Sequence, residues 1–526
     1  MSILPWDLLS PTMVNENVTI SALILSLILF VSLVYKPSSK KLPLPPGPAP
    51  KFITGNVHQL PKSEPWKTYE QWSEVFKSPL IYIRIFQRHI LILNSYKSVT
   101  DLLETRSAIY SDRPTSWMHK ELVGRKFAVF NVSSSHPRFR VYRKLLHSGL
   151  NARAIEVYNA LMEEETGVLL ENLGREPARF LAHLRQNAGA VTLKLAYGWS
   201  VTGTNDPFVT SIEEALEVQT QVIRPGRWLV DVFPLLRFVP AWFPGADFKR
   251  KAAAYKEQMK TVDEVPYKWA KKQIQSGEYI PSFTSHHLLP EEGTIPDEEQ
   301  EDIIKWCGGA LYAGGADTTV SFMTSFFAAI TLHPKVQKRA QGEIDMIIGR
   351  DRVPKSKDQH SLPYVSALIK EILRWAPPVP QGLPHCVTQD DEYLGYRIPK
   401  GSTVVANIWK IAHDPDLYPD PFSFSPERFL NSDSAQNQLD PKKFVFGFGR
   451  RTCPGAQFAE LSIFLNVASI LSAFTISKSV DDYGKKSARS SILPLLSRVI
   501  LSHFPAVSLL ESWKCYDCSG DKLVPD

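Results

Sequence analysis

The chain has 526 residues, of which 44% are hydrophobic, and its formal net charge is +6. This is ample material for a large core, and the weak positive charge without an aromatic-interleaved basic stripe argues against nucleic-acid binding. Five cysteines, an odd number scattered over a long chain, do not form a disulfide framework and fit a reducing compartment.

The first element is the uncharged run VTISALILSLILFVSLVY at residues 18–35. At ~1.5 Å per residue it spans roughly 27 Å, about one hydrocarbon core. A cleaved signal peptide would have basic residues before a shorter apolar run, but here Lys36, Lys40 and Lys41 follow it. The pattern therefore favours a single-pass anchor in the endoplasmic reticulum membrane, with residues 1–17 lumenal and the remainder cytosolic.

Two further features flank the predicted anchor. Asn17 opens the sequon Asn17-Val18-Thr19 on the lumenal side and is a candidate glycosylation site. KLPLPPGPAP at 41–50 is Pro-rich and therefore stiff. We interpret residues 36–50 as a linker between the anchor and a catalytic domain at 51–526.

The catalytic domain is predicted to be mostly helical with a small β region. Leucine, isoleucine and phenylalanine recur at helical spacing through most of it. The exceptions are IYIRIFQRHILILN at 81–94 and DEYLGYRIPKGSTVVANIW at 391–409, which are predicted to hold the β-strands. HPRFRVYRKLLHSGL at 136–150 is predicted to be a helix.

A long helix is predicted at 296–332. Its opening PDEEQED is acidic, as suits a helix N-terminus, and His333-Pro334 marks its end. The interior is apolar all round, which is typical of a buried central helix. A second membrane span is the rival interpretation, and Asp317 in mid-segment, with two threonines after it, argues against that.

Four glycines, Gly308, Gly309, Gly314 and Gly315, interrupt this predicted helix. Each costs ~1 kcal/mol relative to alanine in a helix interior. Something must therefore approach the helix backbone closely, and close packing of other helices is the alternative explanation.

Two later motifs place charged residues at defined spacing. LIKEILRWAPP at 368–378 puts Glu371 and Arg374 one helical turn apart, a pair that is common on surfaces and weak evidence by itself. FSPERF at 424–429 contains Arg428.

The segment FGFGRRTCPGAQFAE at 446–460 surrounds Cys453 with glycines, arginines and a following proline. Pro454 suits the first position of a helix, so Cys453 is predicted at a helix N-terminus, where the dipole favours a thiolate. The glycines permit close backbone approach and unusual dihedrals. The setting indicates a thiolate ligand to a flat, anionic, metal-bearing cofactor.

The pattern Phe446-x-x-Gly449-x-Arg451-x-Cys453-x-Gly455 resembles the haem-binding signature of the cytochrome P450 haem-thiolate monooxygenases, and the chain is similar to fungal microsomal members of the O-methylsterigmatocystin oxidoreductase type. The resemblance implies the cytochrome P450 fold preceded by one transmembrane helix. It also implies a haem b, iron protoporphyrin IX, between the 300–332 helix and the Cys453 loop.

The resemblance assigns roles to the signature residues and to residues elsewhere. Cys453 is implied to be the axial iron ligand and Arg451 a haem propionate ligand. Phe446 would pack beside the thiolate, and Gly455 would admit the macrocycle. GGADTT at 314–319 resembles the oxygen-activation motif, which makes Asp317 and Thr318 an acid–alcohol pair for proton delivery.

Further assignments come from the same resemblance. Glu371, Arg374 and Arg428 are implied to form a structural network behind the haem-binding loop. Arg143 and His385 are implied to bind propionates. Phe139 stands where the pattern usually has tryptophan, so an indole hydrogen bond is lost. For His385, a core histidine satisfied by a backbone carbonyl is the alternative.

The implied function is insertion of oxygen from O2 into an apolar small molecule in secondary metabolism. The chain has no Gly-rich dinucleotide or flavin segment, so its electrons must come from NADPH through a separate reductase. The reductase is expected to dock on a basic patch formed by Lys442, Lys443, Arg450, Arg138, Arg140 and Lys144. The alternatives are detoxification of xenobiotics, a rearrangement or dehydration that needs no external electrons, and a haem sensor or carrier.

The resemblance covers roughly residues 45–470 and weakens afterwards, where the expected strand–turn–strand tail is not evident. Cys515-x-x-Cys518 in this tail is at most half of a zinc site.

Overall fold

The computed structural model describes residues 42–224, 226–290, 295–430 and 438–478. Helices predominate in these residues, with a small β region, as the sequence predicted. The predicted anchor at 18–35, Asn17, the atypical tail and the Cys515/Cys518 pair lie outside the described residues.

The helices and strands follow one another in this order. The helices are α1 (Pro65–Val75), α2 (Tyr96–Val99), α3 (Ser107–Tyr110), α4 (Pro137–Leu150), α5 (Ala152–Val157), α6 (Asn159–Arg175), α7 (Phe180–Tyr197), α8 (Pro207–Ile223), α9 (Asp247–Ser276), α10 (Phe283–Leu288), α11 (Glu298–Leu332), α12 (Pro334–Ile347), α13 (Pro363–Trp375), α14 (Ile408–Ala412), α15 (Lys442–Val445) and α16 (Ala456–Ala473). The strands are β1 (Leu80–Ile85), β2 (Arg88–Leu93), β3 (His385–Cys386), β4 (Asp391–Tyr393), β5 (Tyr396–Ile398) and β6 (Thr403–Ala406). Two π-helical segments, Thr100–Thr105 and Trp117–Leu122, lie between α2 and α4.

Contacts along the chain separate two units. Within the described residues, the smaller unit comprises 42–44 and 392–397, where the Arg397 N–H donates to the Pro43 carbonyl at 2.9 Å. The larger unit comprises residues 45–391 and those from 398 onwards, and it contains the candidate site.

The larger sheet has the strand order β1-β2-β6-β3. Strand β1 pairs with β2 in an antiparallel hairpin, and β2 pairs with β6 in parallel. Alternate residues of the hairpin, such as Ile81 and Ile83, are fully buried, because successive side chains point to opposite faces of a strand. Both predicted β segments therefore hold strands, although α14 begins at Ile408, inside the second one.

The end of the predicted Pro-rich linker lies against strand β1. The Pro46 carbonyl accepts a hydrogen bond from the Tyr82 N–H at 2.8 Å. A Cβ added at Gly47 would lie 2.0 Å from the Tyr82 carbonyl oxygen, so the two backbones touch. Residues 46 and 47 thus pack along the sheet.

Helix α11 matches the predicted central helix closely. A capping box opens it, in which the Gln300 N–H donates to Asp297 Oδ1 at 2.8 Å and the Asp297 N–H donates to Gln300 Oε1 at 3.0 Å. The helix ends at Leu332, before Pro334 starts α12. Its interior is buried, and Phe322 and Phe326 have no exposed surface.

The α11 glycines accommodate neighbouring elements. A Cβ at Gly308 would lie 3.0 Å from the Tyr197 ring, and one at Gly315 would lie 2.5 Å from Thr192 Cγ2, both on α7. A Cβ at Gly309 would lie 2.7 Å from Asp263 Cβ on α9. Close helix packing therefore explains three of the four positions. Gly314 differs, because its neighbour is the ring of Phe130, in the segment before α4.

One helix within the described residues, α16, has the length and composition to cross a membrane. Most of its surface is buried inside the protein, which is what a core helix shows.

Candidate active site

The Cys453 loop is held in a conformation that depends on glycine. Gly447 has φ +80° and Gly449 has φ +53°, in the left-handed region that side chains disfavour. A Cβ at Gly449 would also lie 2.3 Å from the Leu103 carbonyl oxygen and 2.8 Å from Ser107 Cβ. The loop is therefore pressed against residues 103–107.

Cys453 lies at the end of this loop rather than in a helix. Its N–H donates to the Phe446 carbonyl at 2.7 Å, which closes the loop. Helix α16 begins at Ala456 with Gly455 as its N-cap. The prediction that Pro454 occupies the first helical position is therefore wrong by two residues, because the turn through Pro454 and Gly455 precedes the helix.

The Cys453 side chain is accessible, yet surrounding protein atoms raise the pKa of its thiol through burial. Because the Cys453 thiol is accessible and yet surrounded by many protein atoms, it lines a concave part of the surface. The Gly455 N–H, which donates to the sulfur, and the Arg143 charge both act to lower this pKa. Burial outweighs them, so the thiolate expected from the helix dipole needs a further cation, such as a ligated metal.

Helix α4 contributes Arg143 and Phe139 to the site. Arg143 Nη1 donates to the Thr452 carbonyl at 2.7 Å, next to Cys453. The Phe139 ring, almost fully buried, lies 4.3 Å from the Arg451 guanidinium carbon. The residue that replaces the usual tryptophan thus packs on an arginine of the loop.

Arg451 connects the loop to residues 110–113. Its Nε donates to the Ser111 carbonyl at 2.8 Å and its Nη2 donates to the Val132 carbonyl at 2.5 Å. Burial lowers the pKa of Arg451 to about 10, partly offset by Asp112.

Strand β3 lies on the other side of residues 110–113. His385 Nδ1 lies 2.8 Å from the Tyr110 carbonyl, and the Cys386 N–H donates to the Asp112 carbonyl at 2.8 Å. Burial lowers the pKa of His385 to about 3, and the charges of Arg113 and Arg451 add to this. A neutral imidazole whose Nδ1–H binds a carbonyl has only an acceptor left at Nε2. The arrangement favours the core-histidine interpretation over a propionate ligand.

Two cations that the sequence reasoning missed lie in the same place. Arg113 Nη1 donates to the carbonyls of Leu383 and Pro384 at 2.8 and 2.7 Å. Burial lowers the pKa of Arg113 to about 9, with a further contribution from Arg451. Lys120 Nζ donates to the Arg113 carbonyl at 3.5 Å.

We call Arg113, Lys120, Arg143 and Arg451 the cationic cluster. These cations outnumber the carboxylate of Asp112, which lies among them and acts on three of their pKa values. The only sequence signal was the run Ser111-Asp112-Arg113-Pro114, which has no distinctive spacing by itself.

Helix α11 places Asp317 and Thr318 side by side. Thr318 Oγ1 donates to the Gly314 carbonyl at 2.8 Å. Asp317 Oδ2 is buried and has no hydrogen-bond partner among the described residues. Burial raises the pKa of Asp317 to about 6, Arg185 opposes this rise and Glu213 adds to it.

Arg185 and Glu213 extend this site toward the surface. Arg185 Nε lies 2.9 Å from Glu213 Oε1, which joins α7 to α8. Their side chains are 24% and 42% exposed, and their charges act on the pKa of Asp317, so that carboxyl is coupled electrostatically to a partly solvated ion pair.

A buried ion pair lies elsewhere, on α13. Arg374 binds Glu371 through two hydrogen bonds of 2.8 Å, and both side chains are fully buried. Arg374 also donates to the carbonyls of Ala412 and Pro421 at 2.9 and 2.6 Å. Arg428 Nε lies 3.5 Å from Glu371 Oε1, so the three residues are brought together as the resemblance implied.

Comparison with known proteins agrees with these features. The family model for cytochrome P450 matches residues 45–498. The chain belongs to the cytochrome P450 family. It is 44% identical to cytochrome P450 monooxygenase 208 of Postia placenta over 88% of this chain and 89% of that protein. It is 40% identical to the monooxygenases claR of Ampulloclitocybe clavipes and ppsD of Aspergillus oryzae, over 84% of this chain in each case and over 82% and 84% of the two proteins.

As a cytochrome P450 the chain is an oxidoreductase of the monooxygenase class, and its family implies a haem-iron cofactor. The family match continues to residue 498, beyond residue 470, where the resemblance was expected to weaken.

The residues present fit a haem. A haem is flat, carries two carboxylates and takes a sulfur ligand in P450 enzymes. The cationic cluster offers more positive charge than Asp112 balances, and Cys453 offers an accessible sulfur beside it. A Cβ at Gly455 would lie 4.0 Å from Cys453 Sγ, an ordinary contact, so the chain itself does not require glycine there.

Proposed function

We propose that this P450 is a membrane-anchored haem-thiolate monooxygenase that inserts one oxygen atom from O2 into an apolar small molecule in secondary-metabolite biosynthesis. The observation that carries the proposal is the cationic cluster beside the accessible Cys453, combined with the Asp317–Thr318 pair on a buried helix. The fungal resemblance of the sequence supports the biosynthetic role.

Bound haem supplies the activation of O2, and a thiolate ligand favours O–O cleavage. Cys453 would hold the iron, and Arg451 and Arg113 would orient the propionates. The two protons that the reaction consumes must reach a pocket that excludes bulk water. With a pKa of about 6, Asp317 exchanges protons near neutral pH, and its protonated share falls as pH rises through that value.

Thr318 follows Asp317 in the chain and would pass on, through water, the proton that Asp317 holds. Its O–H donates to the Gly314 carbonyl, so its oxygen lone pairs can accept a hydrogen bond from water or a neighbouring acid. Protons would reach Asp317 from solvent past the partly exposed Arg185–Glu213 ion pair. A haem-thiolate rearrangement enzyme or dehydratase would not need this proton path.

We expect Thr318→Ala to uncouple the enzyme. NADPH is still consumed, but hydrogen peroxide replaces oxygenated product, because proton delivery is impaired. The measurement is the ratio of peroxide to NADPH consumed in a reconstituted system. Thr324→Ala is the matched control. Like Thr318, the Thr324 hydroxyl donates to the carbonyl four residues earlier, that of Val320, at 2.7 Å. If NADPH consumption stayed coupled to product formation in Thr318→Ala, another residue would relay the proton, and Thr319 would be the first to test.

The substrate requires a separate experiment. Microsomes containing the protein and its reductase are given panels of terpenoids, polyketides, indoles and common xenobiotics, and the products are analysed. Turnover of one biosynthetic class supports the proposed role, whereas broad turnover of xenobiotics supports detoxification.

The electron donor is proposed to be NADPH–cytochrome P450 reductase, docking beside the Cys453 loop. Of the residues first expected to form a basic patch, Lys442 pairs with Glu460 and Arg138 pairs with Asp302, so their charges are largely neutralised. The other four are exposed and form no ion pair among the described residues. They are Arg140, Lys144, Lys443 and Arg450.

We expect Lys144→Glu/Lys443→Glu to slow the first electron transfer at low salt, because like charges weaken steering of an acidic partner. The effect should fade at high salt, as the Debye length falls from ~10 Å at 0.1 M to ~3 Å at 1 M. Stopped-flow reduction measures the rate. Lys268→Glu/Lys272→Glu on α9 carries the same charge change as a control. Equal rates in the two variants at low salt would place the docking surface elsewhere.

Membrane association is supported by a cluster of exposed apolar side chains, which we call the apolar face. It comprises Leu235, Phe238 and Trp242, at 79%, 68% and 79% exposure, together with Phe52 and Ile53 at 93% and 70%. The Phe86 ring lies 6.0 Å from that of Phe233, and the Phe86 N–H donates to the Thr54 carbonyl at 3.1 Å, so Phe86 connects the two segments. Large contiguous apolar surfaces on a water-facing exterior mark interaction sites.

We expect protein truncated before residue 42 still to bind liposomes through this face. Leu235→Ser/Phe238→Ser/Trp242→Ser in the truncated protein should release it, as measured by flotation. Val75→Ser/Val157→Ser/Met346→Ser removes equally exposed apolar side chains elsewhere and should leave flotation unchanged. Equal flotation of the two triple variants would reject the apolar face as the lipid contact.

A further inference from the structure

The π-helical segment Trp117–Leu122 carries Lys120 into the cationic cluster. Lys120 is half-buried, and its pKa is lowered, chiefly by burial. Asp112 and Cys386 oppose this shift, whereas Arg451 and Arg113 reinforce it. A lysine in this position is costly, because it is desolvated beside two arginines.

The charge of Asp112 offsets part of that cost, but Lys120 has no direct anionic partner among the described residues. In the part of the chain that the structure describes, the ammonium of Lys120 forms no ion pair, and its hydrogen bond to the Arg113 carbonyl is long, at 3.5 Å. Asp112 Oδ1 already accepts from the N–H groups of Arg113 and Ser134, at 2.8 and 3.3 Å. Lys120 therefore lacks a direct anionic partner in a cluster whose cations outnumber the carboxylate of Asp112.

Phe139 explains why an additional donor is useful in this chain. The position usually carries a tryptophan, whose indole N–H binds a haem propionate, and a phenylalanine has no donor. Here the Phe139 ring instead packs on the Arg451 guanidinium, 4.3 Å away. Two of the Arg451 N–H donors already bind the carbonyls of Ser111 and Val132, which leaves fewer of them for a propionate.

We propose that Lys120 supplies the missing donor by binding a haem propionate, so that the π-helical segment closes onto the cofactor. This proposal rests on the haem-thiolate function proposed above. It assigns a binding role to a residue outside the sequence motifs. Short π-helical stretches are frequent at functional sites.

The N-terminal end of the π-helical segment contacts residues that follow α8. The Met118 N–H donates to Asp231 Oδ1 at 3.0 Å, and the Ser116 hydroxyl donates to the same atom at 3.1 Å. The guanidinium carbon of Arg237 lies 3.9 Å from the centre of the Trp117 ring. A propionate bound by Lys120 therefore also stabilises the contact between this segment and residues 229–238, which bear part of the apolar face.

The test uses the holoenzyme and the variant Lys120→Met, which keeps the length of the side chain but removes its charge. We expect haem transfer to excess apomyoglobin to become roughly tenfold faster, the effect of losing one charge-assisted hydrogen bond. We also expect a shift of the propionate bending band in the resonance Raman spectrum. Faster deuterium exchange at residues 117–122 should accompany both changes.

Lys126→Met is the matched control. Lys126 lies shortly after the π-helical segment, but it is 56% exposed, and its ion pair with Glu121 is long, at 3.8 Å. Its haem transfer and Raman band should match the wild type. Lys120→Arg keeps the charge and should retain the haem while still moving the bending band. This conservative variant provides the Raman test even if Lys120→Met fails to fold.

Two outcomes overturn the proposal: wild-type haem transfer in Lys120→Met, or an unmoved propionate band in Lys120→Arg. Failure of the underlying haem-thiolate function looks different. In that case the wild type itself would lack the red-shifted Soret band of the reduced carbon monoxide complex, whereas Lys120→Met should retain that band because Cys453 is untouched.

Discussion

Replacing Cys453 with alanine or histidine is expected to abolish the red-shifted Soret band of the reduced carbon monoxide complex. That band requires a thiolate opposite carbon monoxide, and neither residue supplies sulfur. Monooxygenase activity should be lost with it, because the push of electron density toward oxygen is also lost. Difference spectroscopy of the reduced protein measures the band directly, without a known substrate.

The other described cysteines provide the control. Cys386→Ser alters a half-buried thiol close to the cationic cluster, and Cys307→Ala alters a buried one in helix α11. Both variants should keep the band, although Cys307→Ala should lower stability by leaving a small cavity. A normal band in Cys453→Ala would show that another residue ligates the iron.

Arg374→Leu is expected to prevent accumulation of folded holoenzyme. The substitution leaves the Glu371 carboxylate buried without its bidentate partner, and breaking such a pair costs about 3–5 kcal/mol. It also removes the donors that bind the carbonyls of Ala412 and Pro421, in the part of the chain that precedes the Cys453 loop. Haem content and thermal unfolding of the purified protein measure the effect.

Arg350→Leu provides the comparison for this prediction. Arg350 pairs with Asp345 at 2.6 Å, but its side chain is 84% exposed. Exposed ion pairs contribute only about 0–1 kcal/mol, so this variant should retain haem and unfold near the wild-type temperature. If Arg374→Leu behaved like Arg350→Leu, the buried pair would have no architectural role.

Features that depend on local chemistry were predictable from the sequence. The bounds of helix α11 follow from the capping residues Asp297 and Gln300 and from the stop at His333-Pro334. The β1–β2 hairpin follows from its branched and aromatic residues. The contact of Glu371 with Arg374 follows from helical spacing, which brings residues three apart onto one face.

The start of the helix after Cys453 was predicted wrongly, because local sequence signals locate a helix end only to within one or two residues. Pro454 is compatible with a helix start and also with a turn, and the structure places it in a turn before Ala456. A different problem affected the basic patch, for which Lys442, Lys443 and Arg450 were chosen because they flank the loop, and three further residues because the family places the 136–150 helix beside it. Lys442 turned out to be paired with Glu460, eighteen residues away, through a fold that brings α15 beside α16.

The sequence by itself determined the family, the helical architecture with a small sheet, and the cysteine around which the site is built, because each depends on residue types at short, fixed spacing. Only the tertiary structure decided which distant charges meet there. Arg113 and Lys120 lie close to Asp112 in the sequence, but Arg451 comes from the distant Cys453 loop, and no spacing rule predicts that it joins them. Electrostatic interaction and burial depend on distances in space, and these distances are set by packing of the whole chain.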